Sequence, residues 1–291
     1  MRICRFNEGR VGLVEGNTVY DVTAVTAQLP KLEWPVEPGD LLIKHLVSLM
    51  PAILAAKKEA KTYQLSDIKL LSPVANPSKI IAAPLNYHAH VDESLADAGI
   101  HNNVHVAHYD GFKSPVAKFG VFLKNATGIV GAGEGVKIAF PGRRNDHEVE
   151  LAVIIGKQCK DVAEADAFSV IAGYSIGLDM TVRGTEDRSF RKSADSYSVL
   201  GPWLVTADEV ADPGNLGFKI HVNEESRQDA NTKDLITGIA ELIAIASSVY
   251  TLYPGDVIMT GTPEGVGTVQ PGDIMHASIE GIGNMDVAVR A

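Results

Sequence analysis

"DHEVELAVIIG", residues 146–156, is the stretch that most limits how this chain can fold. From Val149 to Ile155 it is almost continuously apolar and rich in β-branched residues, the pattern of a strand buried on both faces. Its entrance nevertheless carries Asp146, Glu148 and Glu150. Residues two apart on a strand point the same way, so the three carboxylates share one face, with Cα atoms ~7 Å apart from one to the next. Unit charges at that separation repel by roughly 2 kcal/mol at an effective dielectric near 20. Such a cluster must reach water, pair with Arg143 and Arg144, or hold a hard cation. Carboxylate oxygens suit Mg²⁺, and no histidine or cysteine is spaced for zinc.

A chain of 291 residues has room for one or two domains. Its net charge of −10 argues against nucleic acid or an anionic membrane as the main partner, but not against an anionic small substrate. Two cysteines, Cys4 and Cys159, make no disulfide framework and point to a reducing, cytoplasmic setting. "MRICRFNEGR" lacks a signal-peptide core, and no apolar run approaches ~18 residues.

The first 30 residues read as short strands with turns. Leu42, Leu46, Leu49, Ile53 and Leu54 recur at helical spacing, with a break or kink expected at Pro51. "LSPVANPS" (71–78) is the best boundary, dividing a small N-terminal β-containing domain (1–72) from a larger one (73–291). The larger part reads as short strands with "YPGD" and "QPGD" turns and two helices. One covers 163–172; the other buries Ile236, Ile239, Ile243, Ala246 and Tyr250. The fold class is mixed α+β and β-rich, without regular βαβ alternation.

Some motifs lead elsewhere. "GYSIG" (173–177) has the spacing of a serine nucleophile elbow, which requires a strand before and a helix after. Poor helix formers follow here, so Ser175 reads as a strand position. "GAGEGV" and "GTPEGVG" lack the Gly-Lys-Ser/Thr of a phosphate-binding loop. His101, His105 and His108 lie between Gly99 and Gly111, in what reads as a polar loop more than a metal site.

If "NYHAHVDESLADAG" (86–99) is a helix, Asn86, His90 and Glu93 share a face. A histidine oriented by a carboxylate is a general base, and the plainer reading is a surface pair. Asp179 in "YSIGLDMTVR" is a plausible strand-end ligand, although periodicity cannot bring it to Glu148. Lys124 and Lys192, taken alone, are surface lysines.

In series, "NYHAHVDE", "VFLKN", "DHEVELAVIIG", "AGYSIGLDMTVR", "RKSADSYSVLGPWLVT" and "YPGDVIMTGTPEGVG" resemble the fumarylacetoacetate hydrolase superfamily over about 210 residues. The resemblance implies a rolled, mixed β-sheet catalytic domain and commonly a homodimer. It implies one Mg²⁺ or Mn²⁺ held by Glu148, Glu150 and Asp179, and a water-activating dyad, His90 and Glu93, on a segment that closes as a lid. It further implies an active-site Lys192 and substrate contacts from Lys124 and Thr262. Asp146 has no ligand role in that pattern and is left to Arg143 or Arg144. The chain departs from the pattern at "APLNY", where many members have Gly shortly before Asn-Tyr, and at Gly184, where many have Asp. The implied activity is hydrolysis of a C–C bond in an acylpyruvate-type 2-oxo acid, as in aromatic degradation. Decarboxylation of oxaloacetate-type acids, isomerisation of hydroxydienoates and cleavage of diketo-deoxy sugar acids use related chemistry. A non-catalytic metal-binding protein, or a hydrolase working through Ser175, stands outside that set.

Overall fold

The structure is a computed structural model describing residues 1–104 and 108–291, so His105 lies outside the described residues. Its centre is the strand Val149–Ile155, buried at every position. It pairs antiparallel with Ile171–Asp179 on one side and Val257–Met259 on the other. Beyond Ile171–Asp179 lies Ser198–Thr206, also buried throughout. Beyond Val257–Met259 lie Ile80–Ala82 and Phe122–Lys124. The N-terminal strands Arg2–Phe6, Arg10–Glu15 and Thr18–Asp21 continue the same twelve-stranded sheet, through pairs such as Arg2 with Val205. The expected division at residue 72 falls in the loop after the short strand Leu70–Leu71.

Period-two alternation divides the central strand between two cores. Val149, Leu151, Val153 and Ile155 face one, with Phe218, Ile220 and Met275 of a five-stranded second sheet and the helix Ile239–Val249. Ala152 and Ile154 face the other, where the helix Leu41–Ala56 buries Leu42, Ile43, Leu46, Leu49 and Ile53. Each such side chain contributes about 1.5–3 kcal/mol. That burial exceeds the roughly 3 kcal/mol cost of an internal proline, and the helix runs on through Pro51 without a break. Asp40 caps it, accepting from the Ile43 amide at 3.1 Å and from the Ala75 and Asn76 amides, which ties the helix to the 71–78 segment.

Two other expectations are corrected. The helix expected at 163–172 is a short 3₁₀ helix, Glu164–Val170, because Ile171 enters the sheet. In the later helix the buried face is Ile239, Leu242, Ile243 and Ala246; Ile236 precedes it and Tyr250 ends it. Among the described residues no helix is long and apolar enough to cross a membrane.

Candidate active site

Glu148 occupies the break between Asn145–His147 and the central strand, and Glu150 lies inside that strand. In register, Glu150 opposes Gly177, and the Asp179 amide donates to the Glu148 carbonyl at 2.9 Å. Strand pairing thus brings Asp179 to the two glutamates. One oxygen from each of Glu148, Glu150 and Asp179 lies within 4.8 Å of the others, and all three residues are buried.

The charges are balanced unevenly. Glu148 accepts from Arg183 at 2.9 Å and Lys192 at 2.6 Å. Burial opposes its ionisation, but the charges of Lys192 and Arg183 outweigh it and hold its carboxyl well below the usual range. Asp179 accepts from Lys124 at 2.5 Å and Lys192 at 2.9 Å. Glu150, 1 % exposed, has only the Gly261 amide at 2.6 Å and no ion-pair partner among the described residues. Burial, then the charges of Asp179 and Glu148, push its carboxyl well above the ordinary value. A buried acid without a counter-charge, beside two further carboxylates, fits a hard divalent cation. Asp146 is separate: Arg144 holds it at 2.9 Å and Arg183 at 2.8 Å. Arg143 pairs instead with Glu186 at 2.8 Å.

Above this cluster runs the helix His88–Ala96. His90 Nδ1 lies 2.8 Å from Glu93 Oε2, while Glu93 Oε1 accepts from the Gly265 amide at 2.9 Å. The carboxylate partner assigns the proton to Nδ1, which leaves Nε2 as the free base. Asn86 lies before the helix, not on its face, and acts as an anchor. Its Nδ2 donates to the Thr237 and Thr260 carbonyls at 2.8 Å, and its Oδ1 accepts from the Thr237 amide. A Cβ on Gly261, at φ +105°, would stand 2.5 Å from Asn86 Cβ, so the close approach of loop and anchor needs glycine.

Lys192 follows the short helix Arg188–Arg191 and also donates to Thr181 Oγ1 at 2.6 Å. Lys124 ends Phe122–Lys124 and donates also to the Lys192 and Tyr197 carbonyls. Burial drives its ammonium pKa down, against the charge of Asp179. Thr262 donates its hydroxyl proton to the Val149 carbonyl at 2.9 Å and accepts from Gln228 Nε2 at 2.8 Å. His90, Glu148, Glu150, Arg183, Lys192 and Thr262 all line one pocket enclosing about 50 Å³.

Three residues outside the sequence reading matter here. Arg183 was visible by alternation from Asp179 and Thr181. Gln228, in "ESRQDAN", carries no local signal, yet its Oε1 accepts from the Val149 amide and lies 3.2 Å from His147 Nδ1. Leu85, in the "APLNY" departure, takes φ +48°, and its side chain joins the pocket wall. At Gly184 a Cβ would lie 2.0 Å from Arg143, so the Arg143–Glu186 pair occupies the space of a side chain. Ser175 is fully buried in mid-strand, and its hydroxyl faces the Gly201 and Trp203 carbonyls, an arrangement without a base for a nucleophile. His101 ends a short helix, with Nδ1 accepting from the Asn103 amide.

The family model for the C-terminal part of fumarylacetoacetate hydrolase matches residues 79–290. The chain belongs to the fumarylacetoacetate hydrolase family. Maleylpyruvate hydrolase of Aquipseudomonas alcaligenes is 55 % identical over 291 residues, covering 100 % of both chains. A mitochondrial oxaloacetate tautomerase of Xenopus laevis is 33 % identical over 97 % of this chain and 88 % of its own. Among solved structures, maleylpyruvate hydrolase of Sphingobium sp. SYK-6, in complex with manganese(II) and pyruvate, matches with TM-score 0.82 and 42 % identity over 100 % of this chain and 99 % of its own. The sheet-rich α+β fold is thus that of the fumarylacetoacetate hydrolase family.

Proposed function

We propose that this family member is a divalent-metal-dependent hydrolase of acylpyruvates, 2-oxo acids such as maleylpyruvate or fumarylpyruvate, and releases pyruvate. The observation that carries the reading is the unpaired Glu150 carboxylate beside Glu148 and Asp179, in the same pocket as His90. The full-length similarity to maleylpyruvate hydrolase supports it. Glu148, Glu150 and Asp179 would hold Mg²⁺ or Mn²⁺. When bound, the ion supplies Lewis-acid polarisation of the 2-oxo acid.

The protein's own groups do the rest. His90 Nε2 takes a proton from water, and Glu93 steadies the imidazolium that results. The hydroxide adds to the remote acyl carbonyl, and the C–C bond to the pyruvyl carbon breaks. Its electron pair passes into the three-carbon fragment as an enolate, whose negative charge the nearby Lys192 ammonium stabilises. Return of the His90 proton to carbon yields pyruvate, and the acyl part leaves as an acid. Lys124 sets Asp179 and the Lys192 backbone. Thr262, on the pocket wall, borders the substrate and is held in place by Val149 and Gln228.

The free space of about 50 Å³ is far below the several hundred Å³ usual for ligand pockets, so the wall must yield to admit substrate. The segment 90–111, apart from residues 105–107, is the proposed lid. We further propose a homodimer working in the cytoplasm, with residues 1–72 as a supporting unit of the catalytic part 73–291. Free Cys4 and Cys159 fit a reducing compartment.

The test is pyruvate release from maleylpyruvate, fumarylpyruvate and oxaloacetate by chelated protein, before and after Mn²⁺ is restored. Metal-dependent release from the acylpyruvates is expected. Release from oxaloacetate alone would replace hydrolysis with decarboxylation, and turnover indifferent to chelation would end the metal-dependent reading.

A further inference from the structure

The strand Glu225–Asn231 forms one edge of the second sheet, and of its seven residues only Gln228 is buried. A single polar side chain sent inwards from an edge strand must have its amide satisfied there. Gln228 meets that demand at both ends. The Val149 amide, which can only donate, faces Oε1 at 3.1 Å. The Pro263 carbonyl, which can only accept, faces Nε2 at 2.8 Å. These two partners settle which end of the side-chain amide is which. His147 Nδ1, 3.2 Å from Oε1, therefore carries a proton, and Nε2 also donates to Thr262 Oγ1 at 2.8 Å. One end of Gln228 thus holds the central strand between Glu148 and Glu150, and the other end holds the loop that follows Met259.

That loop joins the two parts of the site. The Gly261 amide donates to Glu150 at 2.6 Å. Four residues on, the Gly265 amide donates to Glu93 Oε1 at 2.9 Å, and Glu93 Oε2 holds His90. Thr260 fixes the start of the loop, through its amide and its hydroxyl on the Leu151 carbonyl. Gln228 fixes the middle. At the far end Gly265 takes φ +90°, and a Cβ there would stand 1.9 Å from the Arg227 carbonyl oxygen. The loop therefore rests directly on the backbone beside Gln228. Gln228 itself is not part of the pocket wall.

We propose that Gln228 is a positioning residue that fixes, from the second sheet, the distance between the carboxylate cluster and the His90–Glu93 dyad. This rests on the reading of the pocket as a metal-dependent hydrolase site. Without Gln228 the loop loses its hold on the central strand. Glu93, and with it the His90 imidazole, then loses its set point relative to a 2-oxo acid held at the cluster. A misplacement of roughly 1 Å can cost about 10²-fold in rate. Binding of the 2-oxo acid end depends on the strands and changes far less.

The test is Gln228→Met in the full chain, which keeps the length of the side chain and removes its hydrogen bonds. With Mn²⁺ restored, kcat for maleylpyruvate should fall by about 30–100-fold, while KM and the Mn²⁺ dissociation constant stay within about threefold of wild type. In the metal-free protein, amide hydrogen exchange should quicken across 88–96 and 260–265 and stay unchanged across 151–155. Gln228→Glu, its carboxyl kept neutral by burial, retains one donor and one acceptor. It should recover part of the lost kcat, and it shows the same pattern in milder form if the methionine variant does not fold. A kcat within about twofold of wild type, with exchange unchanged in both segments, overturns the proposal. So does faster exchange across 151–155 with kcat and metal content falling together, the behaviour of a residue that serves stability alone. If the wild-type protein releases no pyruvate, the hydrolase reading fails, and the exchange pattern of the metal-free variant alone judges the hold on the loop.

Discussion

The carboxylate cluster and the His90–Glu93 pair face one pocket but are held by different physics. Glu148, Glu150 and Asp179 stand on or beside central strands joined by an unbroken run of register pairs from Val149–Leu178 to Ile154–Gly173. A one-residue slip would turn each side chain to the opposite core, so register and burial fix these carboxylates together. The dyad rides on a nine-residue helix of which only His90, Val91 and Ser94 are buried. It is located by a few hydrogen bonds, from Gly265 to Glu93 and around Asn86. On the proposed reading, the sheet supplies a rigid place for the cation, and the helix supplies a base whose position depends on loops.

The sharpest separation is between ligand and base variants. Glu148→Ala should reduce metal content and pyruvate release together to background, as elemental analysis and a pyruvate assay of the same sample would show. His90→Ala should keep its metal while kcat falls by ~10²–10⁴. Glu93→Gln should act in the same direction more mildly, because it disturbs orientation alone. Any decarboxylase activity needs no attacking water and should survive His90→Ala better than hydrolysis does. If His90→Ala lost its metal, the two regions would not be separable as described.

Asn86→Ala probes the anchor. It leaves the buried Thr237 amide and two carbonyls without partners, a loss of about 3 kcal/mol in unfolding free energy measured by denaturant titration. The metal cluster should remain competent to bind in the folded fraction.

Metal binding should also depend on pH in a defined sense. In the metal-free protein the Glu150 carboxyl is raised by burial and by Asp179 and Glu148, so a proton must leave before the oxygens can bind an ion. Affinity should therefore rise with pH, with proton uptake by buffer visible when calorimetric titrations in two buffers of different ionisation heat are compared. Identical heats in both buffers would contradict that balance. The smallest expected effect is dynamic: saturating oxalate should slow hydrogen exchange in 90–104 and leave Val149–Ile155 unchanged.

How much was legible in the sequence follows the same division. The apolar run and its alternating carboxylates revealed a core strand and its acidic mouth, because strand periodicity is local. Asp179 stood out on its own strand, but its meeting with Glu148 depends on pairing register, which only the family resemblance supplied. The His90–Glu93 spacing was readable because three residues apart on a helix is also local. Gln228 and Gly261 were not readable as site residues, since each matters through contacts more than 75 residues away. Arg143 was a fair candidate for Asp146 by sequence distance, and only the turn after Arg183 shows that Glu186 takes it.

The account stands most directly on Glu150, the one cluster carboxylate without a cationic partner among the described residues. Glu150→Gln keeps the shape and the Gly261 contact but removes the charge. Manganese content and pyruvate release from maleylpyruvate should be measured on that variant and the wild-type protein, side by side. The expected result is a folded variant that neither retains Mn²⁺ nor releases pyruvate, beside a wild-type protein that does both. Wild-type turnover in a Glu150→Gln protein free of metal would contradict the central claim.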